Sequence, residues 1–286
     1  MTLDMRGSAE RGGTHGTESA IRGGAVALRL DDVGAASKRH EVYGLTRIHL
    51  GSRAIPFPGN FLFLKYLPPI KRWGPYRELS AREWEGMLVA LEAAGARMTA
   101  AITAGWVGAD GGVTPFPRKF PDAAGVIREG VRRGLVEVAN HGYTHCVLRD
   151  RLFRPRLFGG NREFHREFHD WLPPATHREH VARAQAILQE FFGQSVVTFV
   201  PPGNVFSRAT LDAAAGCGVR YVSCLDPGRF GPVDGLTWVA DRDVVALHDR
   251  DVVLGGLAAL ERVLRGSATK LVTVREAGER LGRSVQ

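Results

Sequence analysis

The sequence predicts an α/β protein built on parallel strands, and three observations carry that expectation. From about residue 25 onward, short β-branched or aliphatic runs alternate with longer stretches of helical pattern, as strand-helix units do. Four of the apolar runs are followed directly by polar or turn-forming residues: Asp31-Asp32, His141 with His145, Pro201 to Asn204, and His248-Asp249. The composition, 44% hydrophobic and 24% charged over 286 residues, supplies enough apolar surface for one large core. It also excludes disorder, and three cysteines are too few for a disulfide-stapled scaffold. A barrel of parallel strands is the favoured arrangement and an open doubly wound sheet the alternative.

Each element has a local reason. Residues 26–30 form the first strand pattern. Ser80 and Glu83 have the spacing of a capping box, and the helix they open carries Trp84, Met87, Leu88 and Leu91 before Gly95 stops it. A strand at 98–103, a helix at 122–133 ending before Gly134, and a strand at 135–139 follow. Then come a helix at 177–192, a strand at 196–200 and a helix at 207–215 ending at Gly216. Strands at 220–223, 236–239 and 244–247, a helix at 252–264, a strand at 270–272 and a short helix complete the pattern. The first 24 residues are polar and glycine-rich with no apolar run suited to a signal peptide, so they read as a disordered tail and leave 25–286 for the fold.

Two stretches break the alternation and read as long loops inserted on the barrel. Residues 42–77 carry Arg47, Arg53, Lys65, Lys71, Arg72 and Arg77 with no acidic residue, interleaved with aromatic and aliphatic side chains. Prolines 56, 58, 68, 69 and 75 argue against a long helix there. Residues 147–172 carry Arg149, Arg151, Arg154, Arg156 and Arg162 with Phe153, Phe158, Phe164 and Phe168. The formal net charge is +8, which favours anionic partners without naming one. No recognisable nucleic-acid module accompanies that charge. Cys146, Cys217 and Cys224 are odd in number and lack CxxC spacing, which points to a reducing, cytoplasmic setting.

In a parallel barrel the strand ends open on one face, so the four polar strand ends converge there. His141 and His145 are four apart, which on a helical turn puts both imidazoles within reach of one ion. A carboxylate from another strand would complete two histidines and one carboxylate, with room for water, as in catalytic metal sites. His165 and His169 share that spacing but follow no strand and read as the polar face of a loop helix. The HExxH arrangement, a GxSxG elbow and a phosphate-binding Walker loop are all absent from the sequence.

These residues resemble a known family. Leu28-Arg29-Leu30-Asp31-Asp32, His141-Gly-Tyr-Thr-His145, Phe199-Val-Pro-Pro-Gly203 and Ala246-Leu-His-Asp249 are similar, in order and spacing, to four motifs of the polysaccharide deacetylases, carbohydrate esterase family 4. The resemblance implies a distorted (β/α) barrel of about seven strands that binds one divalent metal and removes N-acyl groups from amino sugars. It implies Asp32, His141 and His145 as metal ligands, Asp31 as general base and His248 as general acid. Backbone N–H groups near Asn204, past Pro202, would hold the oxyanion. Successive side chains at a strand end point in different directions, which lets adjacent carboxylates divide ligand and base roles.

Two positions depart from the family pattern. Val200 stands where an arginine usually partners the base, and Arg29, two residues before Asp31 and on the same strand face, is the expected replacement. Gly142 stands where a hydroxyl residue is common. The implied metal is zinc, with cobalt, nickel or iron compatible with the same donors. The leading expectation is a cytoplasmic hydrolase releasing acetyl or formyl from an intracellular amino sugar or similar metabolite. The basic, aromatic 42–77 segment would suit a nucleotide-linked sugar, or a lipid-linked one met by peripheral membrane contact. A catalytically silent barrel that binds a glycan or metabolite is the alternative; the sequence leaves the oligomeric state open.

Overall fold

The computed structural model describes residues 25–50, 53–74, 76–148, 157–158, 165–225 and 230–283. The expected tail at 1–24 lies outside them, as do Arg149, Arg151, Phe153, Arg154, Arg156, Arg162 and Phe164. Eight strands form the main sheet: β1 Ala25–Val33, β2 Met98–Ile102, β3 Val136–Asn140, β4 Thr198–Phe199, β5 Tyr221–Cys224, β6 Thr237–Ala240, β7 Val244–His248 and β8 Lys270–Val272. Seven lie in the order β6-β5-β4-β3-β2-β1-β7, all parallel, and β8 pairs with the start of β1. The edge strands β6 and β7 are joined by only three residues, Asp241–Asp243. A link that short spans at most about 14 Å, so the sheet must curl until its edges approach. The result is a distorted (β/α) barrel rather than a flat doubly wound sheet.

Alternation along β1 sorts side chains between the two faces of the curled sheet. Leu28 and Leu30 pack outward in a core with Met98, Ala100 and Ile102 of β2 and with Trp84, Met87, Leu88 and Leu91 of helix α1, Ala81–Ala93. Ala25 and Ala27 pack with Tyr221, Val239 and Val272. Arg29 and Asp31 continue that second row toward the strand end. Ser80 and Glu83 form the expected capping box on α1. Helices α2, Pro121–Arg132, α3, Pro174–Phe192, and α4, Arg208–Gly216, cover the sheet's outer face together with α1.

Three expectations are corrected. The 42–77 segment is not a plain loop: it holds two antiparallel ribbons, Tyr43–Gly44 with Lys71–Trp73 and Arg47–Leu50 with Arg53–Pro56. Its prolines keep out a long helix, leaving among the described residues only a single 3-10 turn at Leu64–Tyr66, and still allow short, exposed edge pairing. The helix expected at 252–264 is two, Asp249–Gly255 and Ala258–Gly266, because Gly256 takes a φ of 66°. The His165 to His169 stretch is no solvated helix face, since His165, Glu167 and Phe168 are buried. No helix among the described residues is long and apolar enough to cross a membrane.

Candidate active site

A register shift in β1 creates the site. Leu30 pairs with Ala100 and Val33 with Ile102, so β1 carries one more residue than β2 between these points. The bulge falls on Asp31-Asp32, and Asp32 adopts a left-handed φ of 66°. Strict alternation alone would send the two carboxylates to opposite faces; the bulge lets both serve one mouth. Among the described residues only four non-glycine positions have positive φ, and three of them, Asp32, His145 and Asn204, are residues singled out from the sequence. Backbone strain of this kind is retained where the surrounding structure forces it, often at functional sites.

His141 and His145 meet Asp32 through a loop and not through the helical turn expected for their spacing. The 141–146 segment is irregular, with φ of 82° at Gly142 and 58° at His145. His141 Nε2 lies 3.3 Å and His145 Nε2 3.1 Å from Asp32 Oδ1. One donor atom from each of the three residues lies within 4.8 Å of the others. Separations of this size suit donors sharing one ion at bond lengths of about 2.0–2.2 Å.

The outer hydrogen bonds support the same reading. His141 Nδ1 is 2.7 Å from the Val200 carbonyl, which only accepts, so that nitrogen carries the proton. His141 Nε2 faces a carboxylate oxygen, and that pairing needs a proton or a cation between the two atoms. His145 Nδ1 is held 2.9 Å from Ser37 Oγ. Orienting bonds of this kind on the distal nitrogen are typical of metal-ligating histidines. Burial alone would raise the Asp32 carboxyl, but the bonds to His141 and His145 outweigh it and hold the group well below the usual carboxylate range.

Asp31 is held by its neighbour on the same strand face. Arg29 Nε donates to Asp31 Oδ1 at 2.8 Å and Nη2 to Oδ2 at 2.9 Å, a two-pronged grip, while Nη1 reaches Ser223 Oγ on β5. Asp31 and His248 are direct cross-strand partners of β1 and β7. Burial lowers the His248 pKa, but the charges of Asp32 and Asp31, then Asp251 and Asp249, raise it above the ordinary histidine value. The Trp73 ring stands edge-on to His248 with centroids 6.1 Å apart.

Of the backbone donors expected near Asn204, two are engaged within their own turn. The Asn204 N–H is spent on the Pro201 carbonyl at 3.0 Å, the Val205 N–H on the Pro202 carbonyl, and the Asn204 side chain accepts from the Leu225 N–H. Pro202 has no N–H to offer.

Sequence reasoning also missed a shell of polar residues. Lys38 is buried, donates to the Asp32 carbonyl and pairs with Glu78 and Asp249. Burial works against the Lys38 charge, and the two carboxylates outweigh it. The Tyr76 hydroxyl lies 3.5 Å from Asp32 Oδ2. Glu167, read from the sequence as part of a solvated stretch, binds the 141–146 loop. Its aromatic neighbours Phe164 and Phe168 were the one available hint that this acid is enclosed.

A family profile described as polysaccharide deacetylase matches residues 75–222, just over half of the chain. The chain belongs to the polysaccharide deacetylase family. No curated protein sequence matches it. Among solved structures, a family 4 carbohydrate esterase from Streptomyces lividans in complex with acetate is 17% identical, over 85% of this chain and 87% of that one, with a TM-score of 0.43. A family 4 acetyl xylan esterase from Clostridium thermocellum in complex with cobalt is 15% identical, over 90% and 92%, with a TM-score of 0.44. A family 4 pseudoenzyme from Bacillus anthracis is 16% identical over 70% of this deacetylase-family chain, with a TM-score of 0.44. The chain spans 61% of the length of that Bacillus protein.

Proposed function

We propose that this family member is a metal-dependent hydrolase that removes an acetyl or formyl group from the nitrogen of an amino sugar or a similar small N-acylated metabolite. The observation that carries the reading is the convergence of Asp32, His141 and His145, with the outer nitrogens of both imidazoles already tied back. Those three residues would hold the ion, and zinc suits two imidazoles and a carboxylate, with cobalt, nickel or iron as alternatives. A divalent ion held there would supply an acidified water and a Lewis acid for the acyl oxygen.

The chain's own groups account for the protons. Asp31 takes a proton from the attacking water as the oxygen bonds to the acyl carbon, and the Arg29 grip fixes the carboxylate plane while leaving each oxygen a lone pair. His248, protonated in its acidic surroundings, gives its proton to the amide nitrogen as the carbon–nitrogen bond breaks. The products are a carboxylic acid and a free amine.

The finer reading is an intracellular, nucleotide- or lipid-linked amino sugar handled in the cytoplasm. The absence of any disulfide among Cys146, Cys217 and Cys224, and the acid-free 42–77 insertion whose Trp73 touches His248, support it. The test pairs metal analysis of the wild type and Asp32→Ala with release of acetate or formate from free, nucleotide-linked and lipid-linked N-acyl amino sugars. Metal in the wild type alone, with turnover of at least one substrate, is expected. Metal-free protein that binds a sugar and turns over none of them would leave the silent barrel as the function.

A further inference from the structure

The 141–146 loop is held in its shape by a carboxylate from outside it. Glu167 lies in the segment before α3 and is 1% exposed. Its Oε1 accepts the Tyr143 N–H at 3.0 Å, and its Oε2 accepts those of Thr144 at 3.2 Å and His145 at 2.8 Å. Three consecutive amides therefore converge on one anion, the arrangement of a backbone nest. The left-handed residues Gly142 and His145 flank the turn that makes this convergence geometrically feasible. The loop's own hydroxyl does not contribute, because Thr144 Oγ1 donates to the Cys146 carbonyl.

Two further contacts fix the carboxylate itself. His180 of α3 meets Glu167 Oε1 through Nδ1 at 2.5 Å. A Cβ on residue 142 would collide with Glu167 Oε2 and crowd Pro202, so the glycine is what admits the acid. Gly142 and Glu167 thus form one unit: the first vacates the space and the second fills it with charge. Remove the acid, and three amides facing a closed interior lose their acceptor.

We infer that Glu167 is the positioning residue for the ion site, acting through the backbone of His145 to aim its imidazole at Asp32. This rests on the metal-dependent reading above. Glutamine at 167 offers one acceptor oxygen and turns an amide NH2 toward N–H groups, so it keeps the size and spoils the match.

The experiment titrates apo wild type, Glu167→Gln and Glu167→Asp with cobalt(II), following affinity by calorimetry and coordination by visible absorption, with a thermal melt of each apo protein. Loss of a partner bonded directly to a ligating side chain weakens metal binding by about 10–100-fold, and an anchor acting through the ligand's backbone should fall at the lower end, about 10-fold. We expect that loss, with an altered cobalt spectrum, in a Glu167→Gln protein that still melts cooperatively; Glu167→Asp should fall between. Equal affinity and an unchanged spectrum in a folded Glu167→Gln overturn the role of Glu167 alone. A wild type that binds no cobalt overturns the metal reading and this inference with it. Should Glu167→Gln not fold, amide hydrogen exchange in the wild type decides: protected amides at 143–145 support the clamp, and rapid exchange in folded protein overturns it.

Discussion

Asp31 and Asp32 share a chemistry and differ in what holds them. Asp31 is gripped by Arg29, and Asp32 faces two imidazoles across a bulge. Arg29→Ala removes two charge-assisted bonds worth about 1.5–3 kcal/mol each before compensation, so turnover of a confirmed substrate should fall by roughly 10- to 100-fold. Arg29→Lys, which cannot fork, should recover only part of that loss. Unchanged kcat and pH-rate profile in Arg29→Ala would remove Arg29 from the mechanism. Gly142→Ala is expected to cost about 2–4 kcal/mol of stability in urea melts, because it combines a positive φ with overpacking against Glu167. Asp31, Asp32, His141 and His145 were legible as candidates because they follow strands in the sequence. Glu167, Lys38 and Tyr76 were not, since each reaches the site through tertiary packing that no local pattern records.

The N-terminus of α1 shows how a local signal becomes a pH response. Arg77 makes two bonds to Glu83 at 2.6 and 2.7 Å, and Glu83 closes the capping box with Ser80. The bonds from Arg77, against a smaller effect of burial and with help from Ser80, pull the Glu83 pKa down to about 2. A folded-state pKa below the unfolded one stabilises the protein above the unfolded value, and the contribution fades as pH falls through about 4.5 toward about 2. Arg77 is exposed, so Arg77→Ala should cost only about 0.2–1 kcal/mol at pH 7, and Ser80→Ala about 1 kcal/mol. Denaturant melts from pH 7 down to pH 3 should show the Arg77→Ala deficit shrinking; a constant deficit would mean that Glu83 is not the linked group. Capped helices and apolar strands like these were readable from their own residues. The ribbon of Tyr43–Gly44 with Lys71–Trp73 was not, because its two strands are far apart in sequence.

The 42–77 insertion presents a broad apolar and basic surface to solvent. Leu50, Ile55, Phe61, Phe63, Tyr66 and Leu67 are exposed apolar side chains in a stretch without a single acid. In the Arg47–Leu50 and Arg53–Pro56 ribbon, Ile48 pairs with Ile55 and Leu50 with Arg53, which puts three aliphatic residues and a cation on one face. The structure narrows the six basic residues available to a lipid surface. Lys65 is 1% exposed, Arg77 is committed to Glu83 and Arg72 is half-buried, which leaves the exposed Arg47, Arg53 and Lys71. Each such charge near an anionic bilayer contributes about 1 kcal/mol, so neutralising one should weaken vesicle binding roughly fivefold. Cosedimentation with phosphatidylglycerol vesicles should therefore fall stepwise across Arg47→Ser, Arg53→Ser and Lys71→Ser, drop at high salt, and fall again in Phe61→Ser combined with Phe63→Ser. Sedimentation unchanged by all of these would remove the membrane version of the substrate and leave a freely diffusing, nucleotide-linked sugar as the ligand for the same mouth. Trp73 ties the two questions together, since it closes the insertion's inner ribbon and stands against His248.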